Sequence, residues 1–288
     1  MTYMFLQTEQ EKHEWELIIN YVIPVSVFII SLFILYRLIK IFQFYYALHY
    51  KRPIYNHFYF NLDKLTPAQR SILKKEHSFF RKLSHKDQRY FEHRVATFIN
   101  EHKFIGRQEL VVTEHMKVTI ATTAIFLTFG FKKYLLDIVE TVIIYPKKYY
   151  SQINETFHKG ETNPQLKAIV FSWEDFKQGY KIGDDNLNLG IHEFGHAIHL
   201  NASINNDISS LIFNQGFKKL TTYLQNNETV RLNLIASKYF REYAYTNQFE
   251  FFAVLLENFI ETPIEFKSQF PELYNYMKQM LNFKFAGY

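Results

Sequence analysis

The 288-residue chain contains no cysteine. That absence removes disulfides, cysteine-ligated zinc and thiol nucleophiles, and leaves imidazole and carboxylate as the strong metal ligands. It also fits a reducing compartment. No internal repeat and no low-complexity tract interrupts the sequence. The net charge is +5, but no helix carries a dense Lys/Arg stripe, so the excess does not read as a nucleic-acid footprint.

A second absence is local. Residues 17–36, LIINYVIPVSVFIISLFILY, hold no charged side chain, and twenty residues at about 1.5 Å rise match a hydrocarbon core of roughly 30 Å. The stretch reads as one transmembrane helix. A cleaved signal peptide fits less well, because Glu9, Glu11, Glu14 and Glu16 precede the run against a single Lys12 and no small-x-small site follows it. Pro24 is tolerable in a span. Trp15 and Tyr36 fall where interfacial aromatics belong, and Arg37, Lys40, Lys51 and Arg52 follow closely. The positive-inside rule therefore places residues 1–16, including Thr8, outside and the rest, including Asn163, in the cytoplasm of a single-pass cell-membrane protein. Residues 37–65 read as a juxtamembrane linker, with the aromatic and basic residues 41–60 lying along the interface, and 66–288 as the folded domain.

What the chain has in quantity is apolar surface: 48% hydrophobic and 18% aromatic residues supply a real core. Thr66-Pro67-Ala68-Gln69 starts a helix with a capping box. A second helix begins near Ser84, buries Phe91, Val95, Phe98 and Ile99, and stops by Gly106. Residues 110–113, 141–145 and 168–172 read as strands, and residues 147–166 between the last two as a polar loop. Thr113 caps a helix running to about Phe129. Helices follow through about Gln225, over 228–243 and 248–261, and after Pro271. The class is α+β, mainly helical with a small sheet.

The chemistry concentrates in Asn188-Leu-Gly-Ile-His192-Glu193-Phe-Gly-His196. Histidines four apart on a helix share a face and can hold one metal ion, while Glu193, about 100° round the helix, is placed to act as a base on a metal-bound water. Leu187, Ile191, Phe194, Ile198 and Leu200 make the surroundings apolar, where unpaired imidazole and carboxylate groups would be costly. A catalytic zinc takes three protein ligands and keeps one position open. The metzincin pattern is excluded, because His199 and Ala202 stand where its Gly and third His belong. The third ligand is then a glutamate, and spacing leaves Glu250 and Glu257 both open; Glu250 has an alternative role closing a capping box from Asn247. His199 shares the helix face of His192 and His196 and reads as a satisfied polar contact in preference to an outer-shell partner or surplus ligand.

From about Leu65 onward the sequence resembles the zinc-dependent peptidases typified by Mlc titration factor A, which share a catalytic core with lethal-factor-like zincins. The resemblance rests on Phe104-Ile-Gly106, Val118-Thr-Ile-Ala-Thr-Thr-Ala124, Val142-Ile-Ile-Tyr-Pro146, Ser172-Trp-Glu-Asp175, Asn188 to His196, and Tyr243-Ala-Tyr-Thr-Asn-Gln-Phe-Glu-Phe-Phe-Ala-Val254 with Glu257 and Pro263. It implies a zincin-like catalytic domain, His192, His196 and Glu250 as Zn2+ ligands, Glu193 as base, Tyr243 near the reacting carbonyl, and aminopeptidase action. His199 departs from the family, standing where an aspartate is usual, and so does the apolar amino-terminal stretch.

These readings combine into a membrane-anchored zinc metallopeptidase acting on peptide or protein substrates. Hydrolysis would run through a zinc-bound water activated by Glu193. The strand at 168–172 would hold the substrate backbone as an added strand, or serve only as a core strand. The alternative function, from the resemblance, is a membrane-tethered protein that sequesters a cytoplasmic transcriptional regulator.

Overall fold

The computed structural model describes residues 9–151 and 155–287; Thr8 lies outside the described residues. The chain opens as one continuous rod: α1 (Glu9–Leu17), a π turn at Ile18–Val22, and α2 (Ile23–Tyr50). Pro24 accounts for the π turn. It has no N–H to donate and its ring crowds the carbonyl four residues back, so the helix widens to clear it. The rod is long and apolar enough to cross a membrane, and its apolar window is not buried against the rest of the chain.

The rod ends where Lys51 adopts the left-handed region, φ 54°. Residues 41–50, expected as an interfacial connector, instead continue α2. Gln43 and Ala47 are buried there, the Lys132 ammonium donates to Gln43 Oε1 at 2.6 Å, and Lys51 donates to Gln215 Oε1 at 2.8 Å.

The domain then starts as its capping residues dictate. Thr66 accepts from Gln69 N at 3.2 Å and Gln69 Oε1 accepts from Thr66 N at 2.9 Å, opening α3 (Pro67–Glu76). After α4 (Ser78–Lys82) comes α5 (His85–Glu101), capped by Ser84 and burying Phe91, Val95 and Phe98. It stops earlier than Gly106, because Lys103–Gly106 forms strand β1. The expected strand at 110–113 does not form: among the described residues none pairs with it, and Val111 is 79% exposed. Thr113 does cap α6 (Glu114–Thr128), accepting from Met116 N at 3.3 Å.

Strands β2 (Thr141–Tyr145), β3 (Tyr149–Ser151), β4 (Thr156–His158), β5 (Gly160–Asn163) and β6 (Ala168–Ser172) follow. Three of these lie in the stretch read as a polar loop. The main sheet runs β1-β2-β6-β5, with the first three parallel and β5 antiparallel to β6 in the register Gly160↔Phe171 to Asn163↔Ala168. Strand β6 therefore has neighbours on both sides and cannot accept another. The free edge nearest the active helix belongs to β5.

Helices complete the domain: α7 (Trp173–Lys181), α8 (Leu189–Ile204), α9 (Ile208–Asn226), α10 (Glu228–Ala236), a 3-10 turn at Glu242–Tyr245, α11 (Gln248–Glu261), α12 (Pro263–Gln269) and α13 (Pro271–Met280). The architecture is mainly helical around a small sheet. α8 runs through its middle, packed on α6, α7, α9, α11 and strands β5 and β6. Gly195 sets the α8–α11 approach, since a Cβ there would stand 3.2 Å from Leu256 Cδ2 and 3.3 Å from Ala253 Cα.

Candidate active site

α8 begins at Asn188, whose side-chain oxygen accepts from Ile191 N at 3.1 Å. One turn later His192 and one further turn on His196 bring their Nε2 atoms to 3.1 Å of each other. From α11, Glu250 reaches the same point. Its Oε2 lies 3.1 Å from His192 Nε2 and its Oε1 3.4 Å from His196 Nε2. Asn247 caps α11 by accepting from Glu250 N at 3.0 Å, so the backbone of Glu250 serves the cap while its carboxylate turns to the imidazoles.

Two nitrogens each about 2.0–2.1 Å from one tetrahedral ion would stand roughly 3.3 Å apart. The two Nε2 atoms, 3.1 Å apart, fit that spacing, and a Glu250 oxygen lies near each of them, with one ligand atom from each residue within 4.8 Å of the others. The donor chemistry fits as well. His192 Nδ1 lies 2.7 Å from Glu257 Oε1, so a neutral imidazole that donates its N–H there turns the Nε2 lone pair toward the cluster. Glu250 Oε2 is buried without an aligned donor. Among the described residues His192, His196 and Glu250 form the group able to hold a metal ion. Burial works against charge on His192, yet its contacts with Glu250 and Glu257 raise it to about 9, and burial of Glu250 is outweighed by the two imidazoles, which hold its carboxyl well below the usual range.

Glu257, the other candidate ligand, sits behind His192. Its carboxylate is 1% exposed and takes two hydrogen bonds from the Arg241 guanidinium, at 2.6 and 3.1 Å, and one from Asn188 N at 3.1 Å. Sequence reasoning missed Arg241. A lone arginine two residues before Tyr243 carries no spacing signal, and only the fold brings it under His192.

Glu193 is 6% exposed and faces β5. The Thr162 hydroxyl stands 2.8 Å from its carbonyl oxygen and 3.2 Å from its Oε2, and burial raises its carboxyl. Tyr243, in the 3-10 turn, is half exposed with its ring centroid 6.2 Å from that of His192. Burial and the Glu250 carboxylate push its phenol up to about 12. His192, Glu193, Tyr243 and Glu257 line one cleft of about 450 Å³ together with Gly160, Leu189 and Arg241.

His199 is not part of it. Its ring is buried among Phe213, Phe217, Phe249 and Phe252, its Nδ1 has no partner, and burial lowers it to about 4. The expectation of a satisfied polar contact gives way to an aromatic cage around a neutral imidazole.

A profile of the family described as glucose-regulated metallo-peptidase M90 matches residues 55–282. The chain is also similar to the uncharacterised protein slr2042 of Synechocystis sp., with 23% identity over 237 residues that cover 75% of this chain and 83% of the relative.

Proposed function

The chain belongs to the glucose-regulated M90 metallopeptidase family, and from that premise we propose a membrane-anchored zinc peptidase with a zincin-like catalytic domain, facing the cytoplasm. The single observation that carries the reading is the His192–His196–Glu250 cluster, in which one ligand atom from each residue lies within 4.8 Å of the other two, as three ligands of one zinc require. His192, His196 and Glu250 would hold the ion. Zinc bound there supplies Lewis acidity, polarising a carbonyl and acidifying a water.

The remaining work falls to the chain's own side chains. The outer edge of β5 offers unpaired backbone groups to an extended peptide beside Glu193. Thr162 packs against the base, its hydroxyl 2.8 Å from the Glu193 carbonyl oxygen and 3.2 Å from its Oε2. Buried, and with raised proton affinity, Glu193 takes a proton from water and passes it to the departing amine. Tyr243 stays protonated at neutral pH and donates to the oxygen on which charge develops. Glu257 and Arg241 fix the imidazole of His192 by holding its Nδ1 proton.

Anchoring is supported by the exposed apolar rod of α2, and orientation by the basic residues after the span. Replacing Glu193 by Gln tests the base. Hydrolysis of a peptide library should fall by about 10²–10⁴-fold, with bound zinc unchanged by metal analysis and any captured protein partner retained. Wild-type cleavage by Glu193→Gln would remove the base from the mechanism. The wild-type cleavage profile separates aminopeptidase from endopeptidase action.

A further inference from the structure

At the foot of the apolar rod, between the last turns of α2, the segment after α6 and the start of α9, lies a hollow of about 710 Å³. Phe44, Leu135 and Ile208 give it apolar walls, and Lys40, Lys132 and Lys133 share the lining. Phe44 remains exposed. Both carboxylates of the lining are occupied: Asp137 pairs with Lys133, and Asp207 caps α9, accepting from Ser209 N at 2.8 Å and from Ser210 Oγ at 2.7 Å. Among the described residues Lys40 and Lys132 meet no carboxylate. Lys40 stands over the Tyr36 ring at 5.4 Å, while Lys132 donates to Gln43 Oε1 at 2.6 Å and stands over the Tyr55 ring at 4.3 Å.

The two unneutralised charges act in one place. Both bear on the Tyr55 phenol, whose pKa falls below its usual value through Lys132 first and Lys40 after it. The hollow also lies at a defined level. The charge-free run ends at Tyr36, and Lys40 and Phe44 follow four and eight residues later on the same helix, about 6 and 12 Å along its axis. A bilayer about 40–45 Å thick around a hydrocarbon core of about 30 Å leaves roughly 5–8 Å of headgroup on each side. Lys40 therefore stands at headgroup depth. Gln43, the first buried residue of α2, comes less than one turn later and holds Lys132, so the edge of the domain begins against the same layer.

Ammonium groups without counter-charge, beside apolar walls and at the level of lipid phosphates, match the upper part of an anionic phospholipid. Resting on the anchored reading given above, we propose that this hollow is a lipid-binding site. The phosphate of an anionic phospholipid meets Lys40 and Lys132, and its glycerol and first acyl carbons pack on Phe44, Leu135 and Ile208. Lysine suits a phosphate as a compact charge on a flexible stem. Each basic group near an anionic surface strengthens the attraction about fivefold. A zwitterionic phospholipid carries the same phosphate beside its own ammonium and so offers no net charge to these lysines. Because Lys132 also holds Gln43, a lipid seated here lies directly against the joint between rod and domain.

Asn206 lines the hollow and is exposed, and the chain has no native cysteine, so Asn206→Cys takes a single bimane label there. The labelled full chain is reconstituted in phosphatidylcholine nanodiscs, spin-labelled phosphatidylglycerol or spin-labelled phosphatidylcholine is added, and quenching is read without peptide substrate. Phosphatidylglycerol should quench at a mole fraction at least about fivefold lower than phosphatidylcholine. Lys40→Gln and Lys132→Gln should each lower that preference about fivefold. Lys40 lies on the exposed rod, so Lys40→Gln carries the test if Lys132→Gln loosens the Gln43 contact. Lys218→Gln, beside Lys51 in a separate hollow, should change nothing, since Lys51 lies about 16 Å beyond Lys40 along the rod. Equal quenching by the two lipids, or a preference unmoved by Lys40→Gln, would overturn the site. Relief of the quenching by millimolar inorganic phosphate would give the hollow to a free anion and overturn the lipid. Alkaline carbonate extraction of vesicles separates this proposal from the reading beneath it: release of the chain would end the anchored reading and the site with it, whereas a retained chain without lipid preference would end the site alone.

Discussion

Gly160 faces the base across the cleft, and replacing it by alanine tests the proposed mechanism without touching any ligand. A Cβ at this position would stand 2.8 Å from Glu193 Cγ, 2.8 Å from Leu189 Cδ1 and 2.9 Å from Glu193 Oε1. Ordinary van der Waals contact begins near 3.4 Å, so the Glu193 side chain must retreat by roughly 0.6 Å, and its burial leaves it little room to do so. Since a misplacement of about 1 Å can lower a rate about 10²-fold, Gly160→Ala should lower kcat about tenfold. KM should change little, and zinc content should stay at one ion per chain because His192, His196 and Glu250 are not approached. Gly183 supplies the control, as a Cβ there meets nothing within 4 Å and Gly183→Ala should be silent. The assay is turnover of a fluorogenic peptide alongside metal analysis of each variant. If Gly160→Ala turned over at the wild-type rate with full zinc, Glu193 would not be the group whose position limits hydrolysis.

Glu250→Ala should release most of the zinc, whereas Glu257→Ala should retain the ion with affinity reduced about 10–100-fold, as for loss of an orienting partner; titration against a chromophoric chelator decides this, and the reverse order would exchange the two roles. His57 and His77 are both lowered to about 3 by burial, so the unfolded chain takes up protons near pH 6.5 while the folded chain does not until far lower. Their contribution is thus full above about pH 6.5 and is lost as pH falls toward 3. Urea unfolding should show about 1 kcal/mol less stability at pH 5.5 than at pH 7 from His77 alone. That increment should vanish in His77→Phe, and an equal fall in the variant would remove His77 as its source. For orientation, single cysteines at Thr8 and at the exposed Asp184 give clean labels in a chain that otherwise has none. An impermeant maleimide on cells, with any outer membrane permeabilised, should modify Thr8→Cys only, and labelling of Asp184→Cys would place the cleft outside.

The parts of the site legible in the sequence are those fixed by helical spacing. His192, Glu193 and His196 sit on α8 as a four-residue repeat requires, and the capping signals at Thr66 and Thr113 mark true helix starts. Spacing could not separate Glu250 from Glu257, because both lie on one face of α11; the approach of α8 at Gly195 decides which carboxylate meets the imidazoles and which lies behind them. The sheet was harder to read. Val111 and Val112 are β-branched, but strands need neighbours, and the ladder beside β2 is taken by Lys103–Gly106. Gly160–Asn163 has the reverse character: its sequence, GETN, has no apolar alternation, yet pairing with the buried Ala168–Ser172 makes it a strand and sets Thr162 against the base. Arg241 comes from the turn before Tyr243, outside the helices that carry the motifs, and no local pattern announces it.

The packing of the end of α2 on the domain has a consequence for how substrates are chosen. Gln43 and Ala47 are seated on the domain while the helix that carries them is still running, so rod and domain meet through packed side chains. In the proposed anchored form the cleft keeps one height above the bilayer and one bearing around the rod, unlike an enzyme on a slack tether that sweeps a hemisphere. Peptide segments would then be selected by address as well as by sequence: a scissile bond held at the wrong distance from the lipid surface would go uncut however well its side chains fit.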